Sequence, residues 1–417
     1  MNAESQAAMQ RSFNHAQPLI MHIDLNSCFA TVEQQAHIHL RHKPIVIAAY
    51  TSPKAFILAP SIEAKALGIK MGMRVWEAQK IYPQVVVRTP DAPLIRDVHI
   101  KFRTLLSEYS PDIAVKSIDE LVLNFATVTR YHGTTLEAVG QEIKHRIRTE
   151  IGDWLRCSVG IGTNRFLAKT AASFRKPDGL TTITSQNALA IYQQLELIDL
   201  HGINVRYQAR LNRQGIKTCW DFLHASPHTL THAVFKSVHG YRWYQRLRGW
   251  EVDDVSYGRK SFGQQYALGK KTADTEELRR IIMKLCEKMG RRLRRHHQAA
   301  TGIHLALRYD DHTYWHQGVT FSEDLYATVD LYHKAMTLFG HQPAAKCVSL
   351  VSVSCFGLHN YQQAQLPLFA TASTKRVAVA QALDKINNTY GEFTIIPARM
   401  MAMDDTIVDR IAFGGVG

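Results

Sequence analysis

Two adjacent carboxylates stand inside an apolar run from Ile113 to Phe125, in the tetrapeptide Ser117-Ile118-Asp119-Glu120. Ile113, Ala114 and Val115 precede it and Leu121, Val122, Leu123 and Phe125 follow, a pattern that reads as strand. Burying two acids is expensive unless something pairs with them. A straight strand would send Asp119 and Glu120 to opposite faces, because side chains alternate along it. For both to serve one site the chain has to bend there, at a hairpin tip or a bulge. Taken alone, the stretch favours an exposed hairpin turn with two solvated acids, so the rest of the chain has to decide.

With 417 residues, 46% of them hydrophobic, the chain can bury large cores in several domains. Lys and Arg outnumber Asp and Glu by 50 to 36, a net charge of +14 that suits a polyanionic partner. Between Gly258 and Asp310 alone there are thirteen Lys/Arg against five Asp/Glu, so that segment carries +8 of the total. Solvated helix faces mix both signs, which makes nucleic acid the better reading. Cys28, Cys157, Cys219, Cys286, Cys347 and Cys355 are scattered without a CxxC pair or metal-ligand spacing, as expected of thiols in a reducing cytoplasm. The 21 histidines form no HExxH or similar cluster, which argues against structural zinc. No apolar run approaches the roughly 20 residues that span a bilayer. Residues 1–17 are polar and lack a signal-peptide core, so a loose tail is expected.

Along the chain, Ile20-Met21-His22-Ile23-Asp24 reads as a short strand ending in an acid, and Asn26 to Glu33 as the start of a helix. Ser61 to Leu67 looks helical and closed by Gly68, and Ile95 to Tyr109 is amphipathic. From about Thr184 short helices are separated by glycines. Two pieces, around Gly202 and Gly215 and around Gly240, fit helix-hairpin-helix elements whose turn N–H groups meet a DNA phosphate. A long helix is expected from Asp274 to His297, with Leu278, Ile281, Ile282, Leu285, Met289 and Leu293 inward and Arg279, Arg280, Arg291, Arg292, Arg294 and Arg295 outward. Alternating segments after it give a second sheet.

Asp24, Asp119 and Glu120 then need one explanation. Adjacent strands would bring them together, and carboxylates so close take up protons unless a cation neutralises them. Mg²⁺ prefers carboxylate oxygen, water and substrate phosphate. Two such ions about 3.5–4 Å apart suit in-line displacement at phosphorus. The acids alone do not separate nuclease from polymerase.

Asp24 to Glu33, Ser117 to Glu120, and Ser158-Val-Gly-Ile-Gly-Thr-Asn-Arg-Phe-Leu-Ala-Lys169 continuing to Arg175-Lys176-Pro177-Asp178-Gly179 together resemble the motifs of the Y-family translesion DNA polymerases, in order and spacing. The bacterial polymerase IV and polymerase V catalytic-subunit branches are the most similar, and the resemblance runs from about Leu19 to Phe369. It implies an α+β multidomain fold: a ferredoxin-like palm (18–27 and 88–183), small fingers (28–87), a helical thumb (184–250), a linker (251–260) and a little finger (261–358). A C-terminal tail (359–417) would follow. It implies Asp24, Asp119 and Glu120, with the Leu25 carbonyl, as ligands of two Mg²⁺ ions. It puts Phe29 at the steric gate against the ribose 2′-OH and Lys176 on the incoming triphosphate.

The fingers segment departs from the pattern: Ile62 and Lys65 stand where a Tyr and an Arg are usual, leaving Lys65 and Ser61 to contact the triphosphate. Asn124, where an Asp is common, is a lesser departure. Gly202, Gly215, Gly240, Arg259, Lys260, Arg291, Arg292, Arg294 and Arg295 are the expected DNA contacts. Gln365-Leu366-Pro367-Leu368-Phe369 resembles the pentapeptide that docks on the sliding clamp. The expectation is a cytoplasmic, monomeric DNA polymerase acting on primer–template DNA and dNTPs, with a regulatory subunit possible and no membrane. A non-catalytic, clamp-bound accessory of the same fold and a metal-dependent nuclease are the rivals.

Overall fold

The computed structural model describes residues 11–131, 133–255, 258–343, 346–361, 372–401 and 403. The chain divides into two compact units that meet in sequence at Val255 and Ser256. In the first, strands β1 (Ile20–Leu25), β5 (Asp112–Val115), β6 (Glu120–Asn124), β7 (Cys157–Gly162) and β8 (Leu180–Ile183) form a sheet in the order β5-β6-β1-β7-β8. All neighbours are antiparallel except β7 and β8. Alternation sorts the residues. Met21, Ile23, Leu121, Leu123, Val159 and Ile161 enter the main core, together with α1 (Cys28–Ala36) and the apolar stripe of Ile95, Val98, Phe102, Leu105 and Leu106.

A smaller sheet, β3-β2-β4 (β2 Ile45–Ala48, β3 Ile57–Pro60, β4 Val86–Arg88), carries two short helices, α2 (Ile62–Ala66) and α3 (Val75–Ile81). The amphipathic stripe belongs to α4 (Ala92–Ser107), and α5 (Leu136–Arg146) packs on the same core. On the opposite face of the main sheet lies α6 (Arg165–Phe174). Its approach is close because Gly160 and Gly162 present no Cβ; one built on Gly160 would meet the Ala168 carbonyl oxygen at 2.0 Å. The Asn164 side chain caps α6 and also donates to the carbonyls of Arg246 and Trp250, tying the helix to the helical region that follows.

That region holds α7 (Ala188–Tyr192), α8 (Val205–Arg213), α9 (Cys219–His224) and α10 (His239–Arg246) around a core that includes Phe222, Trp243 and Leu247. Phe13 belongs to this core, Asn14 donates from its backbone to the Arg248 carbonyl, and the Trp250 indole donates to Ser12. The expected loose N-terminal tail is therefore docked from Ser12 onward; one buried ring outweighs the polar average of its neighbours.

The second unit is an antiparallel sheet, β11-β10-β12-β9 (β9 Ser261–Thr272, β10 Gln298–Tyr309, β11 Tyr314–Leu325, β12 Val348–Asn360), with α11 (Thr275–Arg295) and α12 (Thr328–Phe339) on one face. The apolar stripe of α11 packs as expected, but every residue from Ile281 to Arg291 is buried, including those turned away from the sheet. The cover is C-terminal: α13 (Ala372–Tyr390) and the segment after it, whose Met400 and Met403 join this core. Residues 372–403 are thus part of the second unit and not a tail beyond it. Among the described residues no helix is long and apolar enough to cross a membrane.

Candidate active site

The chain turns between β5 and β6 at Ser117-Ile118-Asp119, and the Lys116 and Ser117 amides donate to the Glu120 carbonyl. Ile118 is buried and its carbonyl is bonded by the ring of His99 on α4 at 2.7 Å, which anchors the turn from below. Glu120 opens β6 directly opposite Asp24 on β1. Asp119, just outside the ladder, accepts from Ser117 Oγ at 2.5 Å, and its carbonyl accepts the Leu25 amide. The bend that two adjacent acids required is this hairpin.

Two lysines close on the acids. Lys169 of α6 puts its Nζ 2.5 Å from Glu120 Oε2, and Lys176 puts its Nζ 2.7 Å from Asp24 Oδ2. The loop carrying Lys176 is held by Asn26, whose Oδ1 accepts from the Asp178 amide at 2.7 Å and whose Nδ2 donates to Ser158 Oγ at 3.0 Å. Lys144 and Arg148 pair with the Asp178 carboxylate. His22 shares the face of Asp24, and its Nε2 lies 3.8 Å from Glu120 Oε2 without a hydrogen-bond partner. Sequence reading missed His22, Asn26, His99 and Lys169 as site residues. The signal for His22 was its spacing of two from Asp24, which puts both on one face of the strand.

Burial pushes Asp24 up to about 6 against the pull of Lys176, and it raises Asp119 against the Ser117 bond. Burial would raise Glu120 as well, but the bond and charge of Lys169 outweigh it and bring Glu120 down to about 2. Burial, then Lys169, lowers His22 to about 3, so its imidazole is neutral. Two of three carboxylates are held above their ordinary range although ammonium groups are already at hand. Burial of the charged form is the largest cause at both. Ligand atoms of His22, Asp24 and Glu120 lie within 4.8 Å of one another. Clustered carboxylate oxygens in that state fit a hard divalent cation.

Residues 23–173 match the impB/mucB/samB family and residues 259–368 match the C-terminal domain of that family. DNA polymerase IV of Pelotomaculum thermopropionicum is 31% identical over 385 residues, covering 91% of this chain and 94% of the relative. DNA polymerase IV 1 of Bacillus subtilis is 30% identical over 381 residues, 89% of this chain and 91% of that one. Among solved structures, a Y-family DNA polymerase chimera shares the fold with a TM-score of 0.68 at 22% identity, covering 81% of this chain and 98% of that one. A Dbh DNA polymerase in an insertion ternary complex matches with a TM-score of 0.57 at 21% identity over the same shares. This chain belongs to the Y-family of DNA polymerases.

The other residues expected of a Y-family site divide. Phe29, in the first turn of α1, is 2% exposed and packs in the main core. Lys65 is open to solvent along its side chain, yet shielding of its head and repulsion from Lys176 hold it below the ordinary lysine range, with Asp24 and Asp119 opposing. Ser61 does not fit a triphosphate contact: it is fully buried, and its Oγ accepts from the amides of Ala64 and Ile45 as the cap of α2. Asn124 bonds Asp112 across the β5–β6 pair.

Gly202 and Gly215 take left-handed backbone angles at exposed turns, as hairpin glycines would. Gly240 does not. It lies in the first turn of α10, its amide bonded to Ser237, and a Cβ there would meet the Leu230 backbone at 2.3 Å. Close helix packing is what requires that glycine.

In the second unit Arg259, Lys260 and Arg295 are exposed. Arg292 is half-buried and bonded to the Gly263 carbonyl and Gln264. Arg291 and Arg294 are corrected: both are buried under the C-terminal cover. Arg294 grips Asp384 with two bonds of 2.5 and 2.9 Å, and Arg291 bonds Glu392 and Asn388. These guanidinium groups are spent inside the domain and not offered to DNA. Gln365 to Phe369 lies outside the described residues.

Proposed function

We propose that this chain is a template-directed translesion DNA polymerase that adds dNTPs to a primer 3′-OH, with Asp24, Asp119 and Glu120 and the Leu25 carbonyl holding two Mg²⁺ ions. Bound there, the ions would neutralise charge on the attacking and leaving oxygens of the α-phosphate. The observation that carries the reading is the junction of β1 with the β5–β6 hairpin, which sets Asp24 opposite Glu120 with Asp119 next to it, half-enclosed acids that are costly without cations to pair with them. The chain's own groups supply position. His99 and Asn26 hold the hairpin and the Lys176 loop, while Lys176 and Lys65 turn cations toward the place of a triphosphate. Phe29 is assigned the sugar gate.

Residues 18–27 and 88–183 would serve as palm, 28–87 as fingers, 184–250 as thumb and 261–358 as little finger. The fingers carry three short helices, of nine, five and seven residues, which suits an open enclosure of the nascent pair. Low fidelity and passage over damaged bases in the cytoplasm belong to the same proposal, as does docking of Gln365–Phe369 on a sliding clamp.

Primer extension with purified protein, Mg²⁺ and four dNTPs tests the reading. The wild type should copy the template, and Asp119→Ala should abolish copying while DNA binding persists. An inert wild type with normal DNA binding would replace the reading by the accessory protein, and loss of primer label without dNTP would replace it by a nuclease.

A further inference from the structure

Three carboxylates face two ammonium groups at the site, and each ammonium sits on a carboxylate that the proposed function assigns to a divalent ion: Lys169 on Glu120, Lys176 on Asp24. A metal ion that takes the same carboxylate oxygen as an ammonium group repels it. When a metal ion takes the acids, both lysines need another anion. Lys176 is already assigned to the triphosphate.

Lys169 stands elsewhere. It lines a cleft of about 590 Å³ together with His22, Lys116, Arg165, His201 and Arg246. Arg165 is held there by Glu251 and Asp254, and Arg246 by Asp253, so those charges are already matched. Among the described residues Lys169 is paired with Glu120 alone. His22 adds an independent sign: it is 2% exposed, its Nε2 has no hydrogen-bond partner among the described residues, and it belongs to the wall of the same cleft. A buried polar nitrogen in that state has room for a partner, water or ligand.

Resting on the polymerase reading, we infer that Lys169 is a positioning residue that couples metal binding to the primer. Metal at Glu120 releases its ammonium into the cleft, where it takes a phosphate near the primer 3′ end with His22 Nε2 as second partner. Metal and primer then bind cooperatively, and by linkage each tightens the other by the same factor.

The test is equilibrium binding of a fluorescent primer–template at constant ionic strength, in EDTA or in Mg²⁺, without dNTP so that no synthesis occurs. A blunt duplex is the reference for general phosphate screening. For the wild type, Mg²⁺ should tighten the recessed primer by about five- to tenfold relative to the blunt duplex. Mn²⁺ titration followed by electron paramagnetic resonance should show the reciprocal gain. Lys169→Met should reduce the coupling to within about twofold, while Lys169→Arg keeps it and His22→Phe weakens it. A wild type without coupling overturns the inference whatever the variants do, and so does Lys169→Met with full coupling. If the wild type also copies a template, only the relay falls; if it binds primer and metal but never extends, the polymerase reading falls.

Discussion

Replacing Gly160 by Ala sets packing against catalysis at one atom. The new Cβ would meet the Ala168 carbonyl oxygen at 2.0 Å and the Ala172 amide nitrogen at 2.1 Å. Both are backbone, so no side chain can rotate away. Ordinary contact begins near 3.4 Å, so α6 must retreat by about 1.4 Å, the difference from 2.0 Å. Lys169 is the next residue after Ala168. Adding that retreat to its 2.5 Å bond with Glu120 leaves about 3.9 Å, beyond hydrogen-bond reach. Overpacking of this kind costs about 1–3 kcal/mol, which lowers the melting temperature of a domain this size by about 2–4 °C per kcal/mol. A displacement of about 1 Å beside reacting groups can cost on the order of 10²-fold in rate. Gly162→Ala meets its nearest atom only at 2.7 Å and should be milder, and Gly258→Ala, with nothing within 4 Å, should be silent. Thermal melting and single-nucleotide insertion rates would give that ranking. A Gly160→Ala protein that melts and inserts within about twofold of wild type would refute the claim that α6 sets the position of Lys169.

Three further outcomes follow from the same structure. Asp384→Ala strands the buried Arg294 guanidinium and should destabilise the second unit by about 3–5 kcal/mol. Urea unfolding monitored by hydrogen exchange in β9–β12 checks this, and an unchanged midpoint contradicts it. Phe29→Ala should admit ribonucleotides, read as the ratio of dNTP to rNTP insertion efficiency. It should also lose about 3–5 kcal/mol because the ring is core; unchanged sugar selection removes the gate assignment. Ile62→Tyr with Lys65→Arg restores a hydroxyl and a planar fork in the fingers segment and should lower the KM for dNTP by roughly tenfold or more, since a bond to a charged group contributes about 1.5–3 kcal/mol. An unchanged KM would mean that other groups already complete that contact.

The acids, their order and the bend between them were legible because two charges inside an apolar strand run are costly and admit few explanations. The stripe of α11 was legible for the same reason, as one face of a helix. What covers the other face was not: Asp384, Asn388 and Glu392 come 90 to 101 residues after the arginines they bond, and a helical wheel cannot show that a distant segment folds back on it. Gly240 shows a related ambiguity. A glycine between helices serves either a left-handed turn or a close backbone contact, and only the neighbours decide. Ser61 reads equally as a ligand contact and as a helix cap, and its burial makes it the cap. Lys169 stands in a motif without a visible role in the sequence, because its partner Glu120 lies 49 residues away and meets it through the close packing that Gly160 permits.

The central claim is that Asp24, Asp119 and Glu120 form one metal-dependent site for nucleotidyl transfer. Single-turnover insertion of one correct dNTP on a recessed primer, wild type against Asp24→Asn, with primer–template affinity measured in parallel, tests it most directly. The account predicts template-directed, Mg²⁺-dependent insertion by the wild type and a loss of at least about 10³-fold in Asp24→Asn at nearly unchanged DNA affinity. Insertion by Asp24→Asn within about tenfold of wild type would contradict it.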